Sequence, residues 1–170
     1  SKIVDHDRYR KELLIGCLAL FAERGYGSVT MRQIAKGLGV STGTLYHYFS
    51  SKESIFIQLV QELCEQDIYS FLAQAPKASS QEERLRAVMD FVFQHTQSYY
   101  QQLLLWVDFS QQTRDSSDRD IQFLRHIWDR TRDTLADYLL LSESDLVDFV
   151  MVFLDGLVIQ YIYDRAYGVS

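Results

Sequence analysis

The sequence predicts an all-α protein of eight helices, and three observations carry that expectation. One proline (Pro76) and eight glycines are all that interrupt 170 residues, so few positions are barred from long helices. Ser or Thr followed three residues later by Glu, Gln or Asp occurs at Thr30/Gln33, Ser50/Glu53, Ser80/Glu83, Ser117/Asp120 and Ser142/Asp145. Such a pair satisfies orphan backbone N–H groups at a helix start reciprocally. Apolar residues then recur at helical spacing after each start, and no segment shows the strict alternation of a half-buried strand.

The first helix is expected from about Asp7 to Arg24, with Leu13, Leu14, Cys17, Leu18 and Phe21 as its buried stripe and Gly25 as a left-handed cap. Two short helices follow, near Met31–Gly37 and Thr42–Tyr48. A long fourth helix, about Ser51–Gln74, ends before Pro76, which lacks an N–H and clashes with the preceding turn. Further helices are expected near Ser80–Gln97, Ser98–Gln112, Ser117–Leu140 and Glu143–Arg165. The short connection at Ser142 makes the last two an antiparallel hairpin. In the seventh helix Ile121, Leu124, Trp128, Thr131, Leu135 and Tyr138 form a seam. The eighth is apolar nearly all round between Phe149 and Ile162 and must be covered on two sides.

Net charge is −6, but it is unevenly placed. Residues 1–53 carry eight Lys/Arg against five Asp/Glu and so stand at +3; the remainder carries nine against eighteen and stands at −9. A basic head on an acidic body suits a head that meets phosphates. Cys17 and Cys64 sit singly in apolar helical repeats, outside any metal-ligand spacing, and no cofactor or metal is implied. The longest continuous apolar run, Phe149 to Leu154, is too short for a bilayer, so a cytoplasmic protein with no membrane partner is expected.

The chemistry is concentrated in Met31–Tyr48, which reads MRQIAKGLGVSTGTLYHY. Ile34, Leu38, Val40, Leu45 and Tyr48 supply the apolar positions that pack two short helices on each other and on the first. Ala35 is small where helices cross, and Gly39 stands where a tight turn needs a positive φ. This is the pattern of a helix-turn-helix. The exposed face of its second helix offers Thr42, Gly43, Thr44, Tyr46 and His47, small or hydrogen-bonding groups suited to a DNA groove. Lys52 follows at the start of the next helix, where free N–H groups also attract a phosphate. Tyr48 and Phe49 read as core aromatics holding this helix in place.

Residues 13–60, with LFAERGYGSVTMRQIAKGLGVSTGTLYHYFSSKESIF at their heart, resemble the DNA-binding domain of the tetracycline-repressor (TetR) family. The Gly25-Tyr26 step, the stretch from Gly43 to Phe49 and the Ser51-Lys52-Glu53 step all match. The resemblance implies that Thr30, Arg32, Thr42, Gly43, Thr44, Tyr46, His47 and Lys52 fall at DNA-contact positions, with Tyr46 and Lys52 on phosphates and Arg32, Thr42 and Thr44 as base readers. In the body it extends only to the helical layout and to Phe153-Leu154-Asp155-Gly156-Leu157; the basic N-terminal arm of many members is short here.

On this reading residues 1–50 form a three-helix DNA-binding domain, and residues 51–170 a helical bundle for effector binding and dimerisation. The resemblance implies a ligand pocket, assigned to Tyr99, Tyr100, Trp106 and Phe109; the competing reading is that these aromatics are core. Asp108 and Asp155 meet either a cationic ligand or an arginine such as Arg125 or Arg132. The function expected is a ligand-responsive regulator, a repressor, that binds double-stranded operator DNA through its helix-turn-helix as a homodimer joined by the last two helices, and is released by a small apolar effector. The alternative is control by a protein partner without a small-molecule inducer. An enzyme is disfavoured, because no nucleophile elbow, phosphate loop, metal spacing or paired-carboxylate motif is present. The fourth helix, about 24 residues and roughly 36 Å long at ~1.5 Å per residue, is the expected lever.

Overall fold

The structure, a computed structural model, describes residues 5–77, 80–113 and 118–168, with the side chains of 118–121 outside that description. Among the described residues there are eight helices and no strand: α1 (His6–Arg24), α2 (Met31–Leu38), α3 (Thr42–Tyr48), α4 (Lys52–Gln74), α5 (Gln81–Gln94), α6 (Thr96–Gln112), α7 (Asp118–Leu139) and α8 (Ser144–Tyr167).

Two of the expected capping boxes form, Thr30 with Gln33 on α2 and Ser80 with Glu83 on α5. Two do not. The fourth helix begins at Lys52, so Ser51 rather than Ser50 is its cap, accepting the Ser54 N–H at 3.0 Å. The eighth begins at Ser144, which puts Ser142 one residue too early; Glu143 precedes it with no side-chain cap bond. Ser117 lies outside the described residues.

Helix ends were the harder part to read. Gly25 has the expected positive φ of 80° but an extended ψ of 148°, so it turns the chain away instead of closing a left-handed cap. Gly39 does close one, at φ 70° and ψ 26°. At the end of α7 it is Leu140, not a glycine, that takes φ 56°, while the Leu141 N–H bonds back to the Ala136 carbonyl at 2.9 Å. A left-handed leucine costs roughly 1–2 kcal/mol, and the packing of Leu141 against the body core offsets it. The break between α5 and α6 falls at His95, two residues before the expected one. His95 Nδ1 lies 2.8 Å from the Phe91 carbonyl, and the Thr96 hydroxyl donates to the carbonyls of Val92 and Phe93, so side chains satisfy the helix end without Gly or Pro.

The chain forms two compact units, the described parts of Ser1–Leu63 with Leu105–Leu124, and of Cys64–Leu104 with Arg125–Ser170. The first unit extends past residue 50 to Leu63. Residues 51–63 and the described part of 105–124 share that unit with the helix-turn-helix. Within the first unit Leu14, Cys17, Phe21, Ile34, Leu45, Phe49, Ile55, Phe56 and Leu59 are buried. In the second, Phe71, Val88, Val92, Leu135, Tyr138, Leu139, Met151, Leu154 and Val158 make one core cluster. The predicted seam of α7 is corrected at Trp128, which is half exposed; Ile127 takes the buried position beside it.

One described helix, α8, is long and apolar enough to cross a bilayer by length and composition, with 22% of its most apolar window buried. It has two apolar faces. Val147, Met151, Leu154 and Val158 are buried in their own unit, whereas Phe149, Val152, Phe153, Ile159, Tyr163 and Tyr167 are exposed. Gly156 falls in the middle of the exposed stripe, and a Cβ there meets nothing within 4 Å.

Burial pushes the Cys17 thiol up to about 12 and Cys64 up to about 11. The thiolate is the reactive form. Both cysteines are expected to react with a disulfide reagent at pH 8 only after unfolding; rapid labelling of the native protein would show that one of them opens to solvent.

Candidate nucleic-acid interface

Helices α1 and α2 cross closely because glycine stands at the contact. A Cβ on Gly16 would lie 2.4 Å from Leu38 Cδ2, and one on Gly37 would lie 2.7 Å from Leu20 Cδ2. Gly39 then turns the chain into α3, whose Leu45 is fully buried and whose end is anchored by Phe49, 1% exposed. Two buried positions, Leu45 and Phe49, thus fix the helix that carries the candidate contacts.

Ser41 caps α3, accepting the Thr44 N–H at 2.9 Å. Sequence reasoning missed this cap because Thr44, not an acid or glutamine, stands three residues on. Beyond it, Thr42, Gly43, Tyr46 and His47 are all exposed and share one side of the helix, with Tyr46 52% accessible. Arg32 on α2 is exposed as well. Of the eight residues expected at DNA-contact positions, these five are exposed without being held in a cap or turned inward.

The other three predicted contacts have intramolecular partners. The Thr30 hydroxyl is held in its capping box with Gln33. Thr44 is half-buried, with its hydroxyl 2.8 Å from Ser41 Oγ. Lys52 is turned inward: its ammonium donates to the Tyr26 carbonyl at 2.8 Å and lies 4.4 Å from the centre of the Tyr26 ring. Burial lowers the pKa of Lys52 while the Asp108 carboxylate raises it. Burial, together with the Glu53 and Asp108 carboxylates, pushes the Tyr26 phenol up to about 12.

Asp108 corrects a second expectation. It pairs with neither Arg125 nor Arg132; it accepts the Gly27 N–H at 3.1 Å, and Arg132 bonds Asp148 at 2.5 Å instead. The loop between α1 and α2 is thereby held from α6. Nothing local in the sequence marks this, since the partners are 81 residues apart. The same region packs Phe109, 3% exposed, flat on Phe56 at 4.1 Å, with Trp106 edge-on to Phe56 and Tyr26 edge-on to both Phe56 and Phe109.

The four residues assigned to a ligand pocket divide between the two compact units. Trp106 and Phe109 belong to the first unit and Tyr99 and Tyr100 to the second, where both pack against the core cluster. Burial, together with the neighbouring Asp67 carboxylate to which it hydrogen-bonds, holds the Tyr99 phenol far above the ordinary range. Burial raises the Asp67 carboxyl, against a lowering by Tyr99 and His95.

Lys52→Ala is expected to weaken binding to all duplexes in parallel, by loosening the Tyr26 loop, and to leave the slope of log K on log salt nearly unchanged. Removal of a direct phosphate ligand would flatten that slope by about 0.9. A slope flatter by that amount would put Lys52 on a phosphate.

A short helix anchored by buried residues, preceded by a second short helix and showing hydrogen-bonding groups on one side, is the arrangement of a helix-turn-helix. Residues 14–59 match the model for bacterial regulatory proteins of the tetR family. The HTH-type transcriptional repressor KstR2 of Mycobacterium tuberculosis is 31% identical over 102 residues, 60% of this chain and 51% of that protein. The chain thus spans about half the length of the curated relatives it matches. Among solved structures, FadR from Bacillus subtilis in complex with stearoyl-CoA superposes with a TM-score of 0.71 at 21% identity, covering 92% of this chain and 89% of that one. A regulator from Saccharomonospora viridis in complex with choline gives 0.73 at 19% identity, covering 93% and 87%. At these identities the structural matches establish the fold: a TetR-like N-terminal helix-turn-helix followed by a helical domain.

Proposed function

We propose that the protein is a transcriptional repressor that binds operator DNA as a homodimer and releases it when a small effector binds the helical body. The observation that carries the DNA reading is the exposed row Thr42, Gly43, Tyr46 and His47 on a helix fixed by buried Leu45 and Phe49. Arg32 reads a base edge beside them, and Tyr46 reaches a phosphate. Thr30, Thr44 and Lys52 act behind this surface, holding the helix ends and the Tyr26 loop. Such a protein works where bacterial DNA is, in the cytoplasm. Footprinting on the DNA upstream of its own and neighbouring genes tests the proposal; protection of a two-fold symmetric site about 10–20 base pairs long is expected. A uniform, sequence-independent pattern would reduce the protein to a general duplex binder.

The homodimer is supported by the second apolar face of α8, which the single chain leaves open. Release by an effector is supported by two structural neighbours whose complexes hold stearoyl-CoA and choline. We assign the effector's contacts to Tyr99 and Tyr100, beside Asp67, and leave Trp106 and Phe109 to the packing of the first unit. Helices α4 and α6 each run through both units, so either can carry the signal to the helix-turn-helix, and DNA and effector must then weaken each other's binding by the same factor. Adding acyl-CoA or choline compounds to the DNA complex is expected to shift it to free protein. A complex indifferent to both, yet dissociated by a protein partner, would favour control without an inducer.

A further inference from the structure

We infer that His6 joins His47 in a paired-imidazole contact to the DNA backbone, so that duplex affinity rises as pH falls through the range in which histidine gains a proton. This rests on the helix-turn-helix reading and adds a residue from α1 to its surface. His6 stands in the first turn of α1, 42 residues from Tyr48, yet its Nδ1 lies 2.8 Å from the Tyr48 hydroxyl. Its ring centre is 6.3 Å from that of His47 and 6.1 Å from that of Tyr48. Tyr48 is held in turn, edge-on to His47 at 5.0 Å and to Tyr9 at 5.4 Å. Both histidines are exposed, and His47 lies on the same open row as Gly43 and Tyr46.

The hydrogen bond fixes what His6 offers outward. Neutral His6 accepts the Tyr48 proton at Nδ1 and keeps its own proton on Nε2; protonated His6 donates from Nδ1 and still carries a proton on Nε2. In both states an N–H faces away from Tyr48. A phosphodiester accepts hydrogen bonds and carries one negative charge, so it fits two such donors and binds them more tightly once they are charged.

The remaining charged groups of α1 near His6 are engaged elsewhere. Asp5 accepts the Arg8 N–H, Asp7 pairs with Arg10 and Lys11, and Arg8 pairs with Glu12. From α3 the groups facing His6 are His47 and Tyr48. Among the described residues neither imidazole is in an ion pair, which leaves both open to an external anion.

The test is fluorescence anisotropy with a random-sequence 20-base-pair duplex at pH 6.0 and 8.0, across a potassium chloride series. Wild type is expected to bind about tenfold or more tightly at pH 6.0, with a log K–log salt slope steeper by about one to two, as each new charge-neutralising contact adds ~0.9. In His6→Gln the slope increment is expected to fall by about one, and in the His6→Gln/His47→Gln double variant both pH effects vanish, with melting curves showing the variants folded. A purely structural tie between α1 and α3 would not make the salt slope depend on pH. Wild-type binding that is flat in pH, or a double variant that keeps the full response, overturns the inference while leaving the helix-turn-helix reading intact. Absence of duplex binding at either pH overturns both.

Discussion

Replacing Gly43 by leucine is expected to raise the melting temperature while lowering operator affinity on the order of a hundredfold or more. The two effects separate because nothing in the chain requires glycine there. Its φ is not positive, and an added Cβ has only Ser41 Oγ within 4 Å, at 3.8 Å. Glycine in a helix costs roughly 0.5–1 kcal/mol relative to alanine. Its replacement by a good helix former is then worth about 2–4 °C per kcal/mol in a chain of this size. The position nevertheless faces outward between Thr42 and Thr44 on the recognition helix, where a larger side chain would hold the backbone away from the groove. A well-placed side chain on a base edge is worth about 1–3 kcal/mol of discrimination, and the displaced helix would forfeit several such pairings together. Gly16→Leu provides the contrast. There a Cβ would lie 2.4 Å from Leu38, so the expected result is loss of stability first and of binding only as a consequence. Calorimetry with gel-shift titration checks both. Unchanged affinity in a stabilised Gly43→Leu protein would take α3 out of the groove.

The elements that local chemistry specifies were legible in the sequence. Reciprocal caps at Thr30 and Ser80, the left-handed turn at Gly39 and the buried Leu45 are all settled by residues within a few positions of one another. What was not legible is set by partners far along the chain. Lys52 at a helix start reads as a phosphate ligand until Tyr26, 26 residues earlier, takes its ammonium. Asp108 reads as a partner for arginine until Gly27 donates to it. Trp106 and Phe109 share a helix with Tyr99 and Tyr100, and composition cannot say that the helix passes from one compact unit into another between them. Likewise, Leu140 in a left-handed conformation contradicts local preference and is held there by the packing of Leu141. His6 carried no signal, because an exposed histidine in a first helical turn acquires meaning only from Tyr48 and His47.

The proposed dimer makes the other large prediction. Gly156→Leu should convert the protein to monomers without destabilising the single chain. Phe149, Val152, Phe153, Ile159, Tyr163 and Tyr167 recur at helical spacing along one side of α8, with Phe149 68% and Val152 70% exposed. An apolar stripe of that length on a helix whose opposite side is already buried needs a cover, and a second copy is the simplest one, since a two-fold contact pairs a surface with itself. Glycine in the middle of such a stripe lets two helices approach closely. In the single chain an added Cβ meets nothing within 4 Å, so the penalty is expected to come from the partner. Overpacking costs typically 1–3 kcal/mol per site, and two copies meet at a two-fold contact. The dissociation constant is therefore expected to rise by roughly thirty-fold to ten-thousand-fold at ~1.4 kcal/mol per decade. Sedimentation velocity at low micromolar concentration should show monomers with an unchanged helical signal. DNA affinity should fall, because a monomer reaches only one half-site. If Gly156→Leu stays dimeric while Phe149→Asp dissociates, the interface lies on the N-terminal part of the stripe; if both stay dimeric, the α8 face is not the dimer contact.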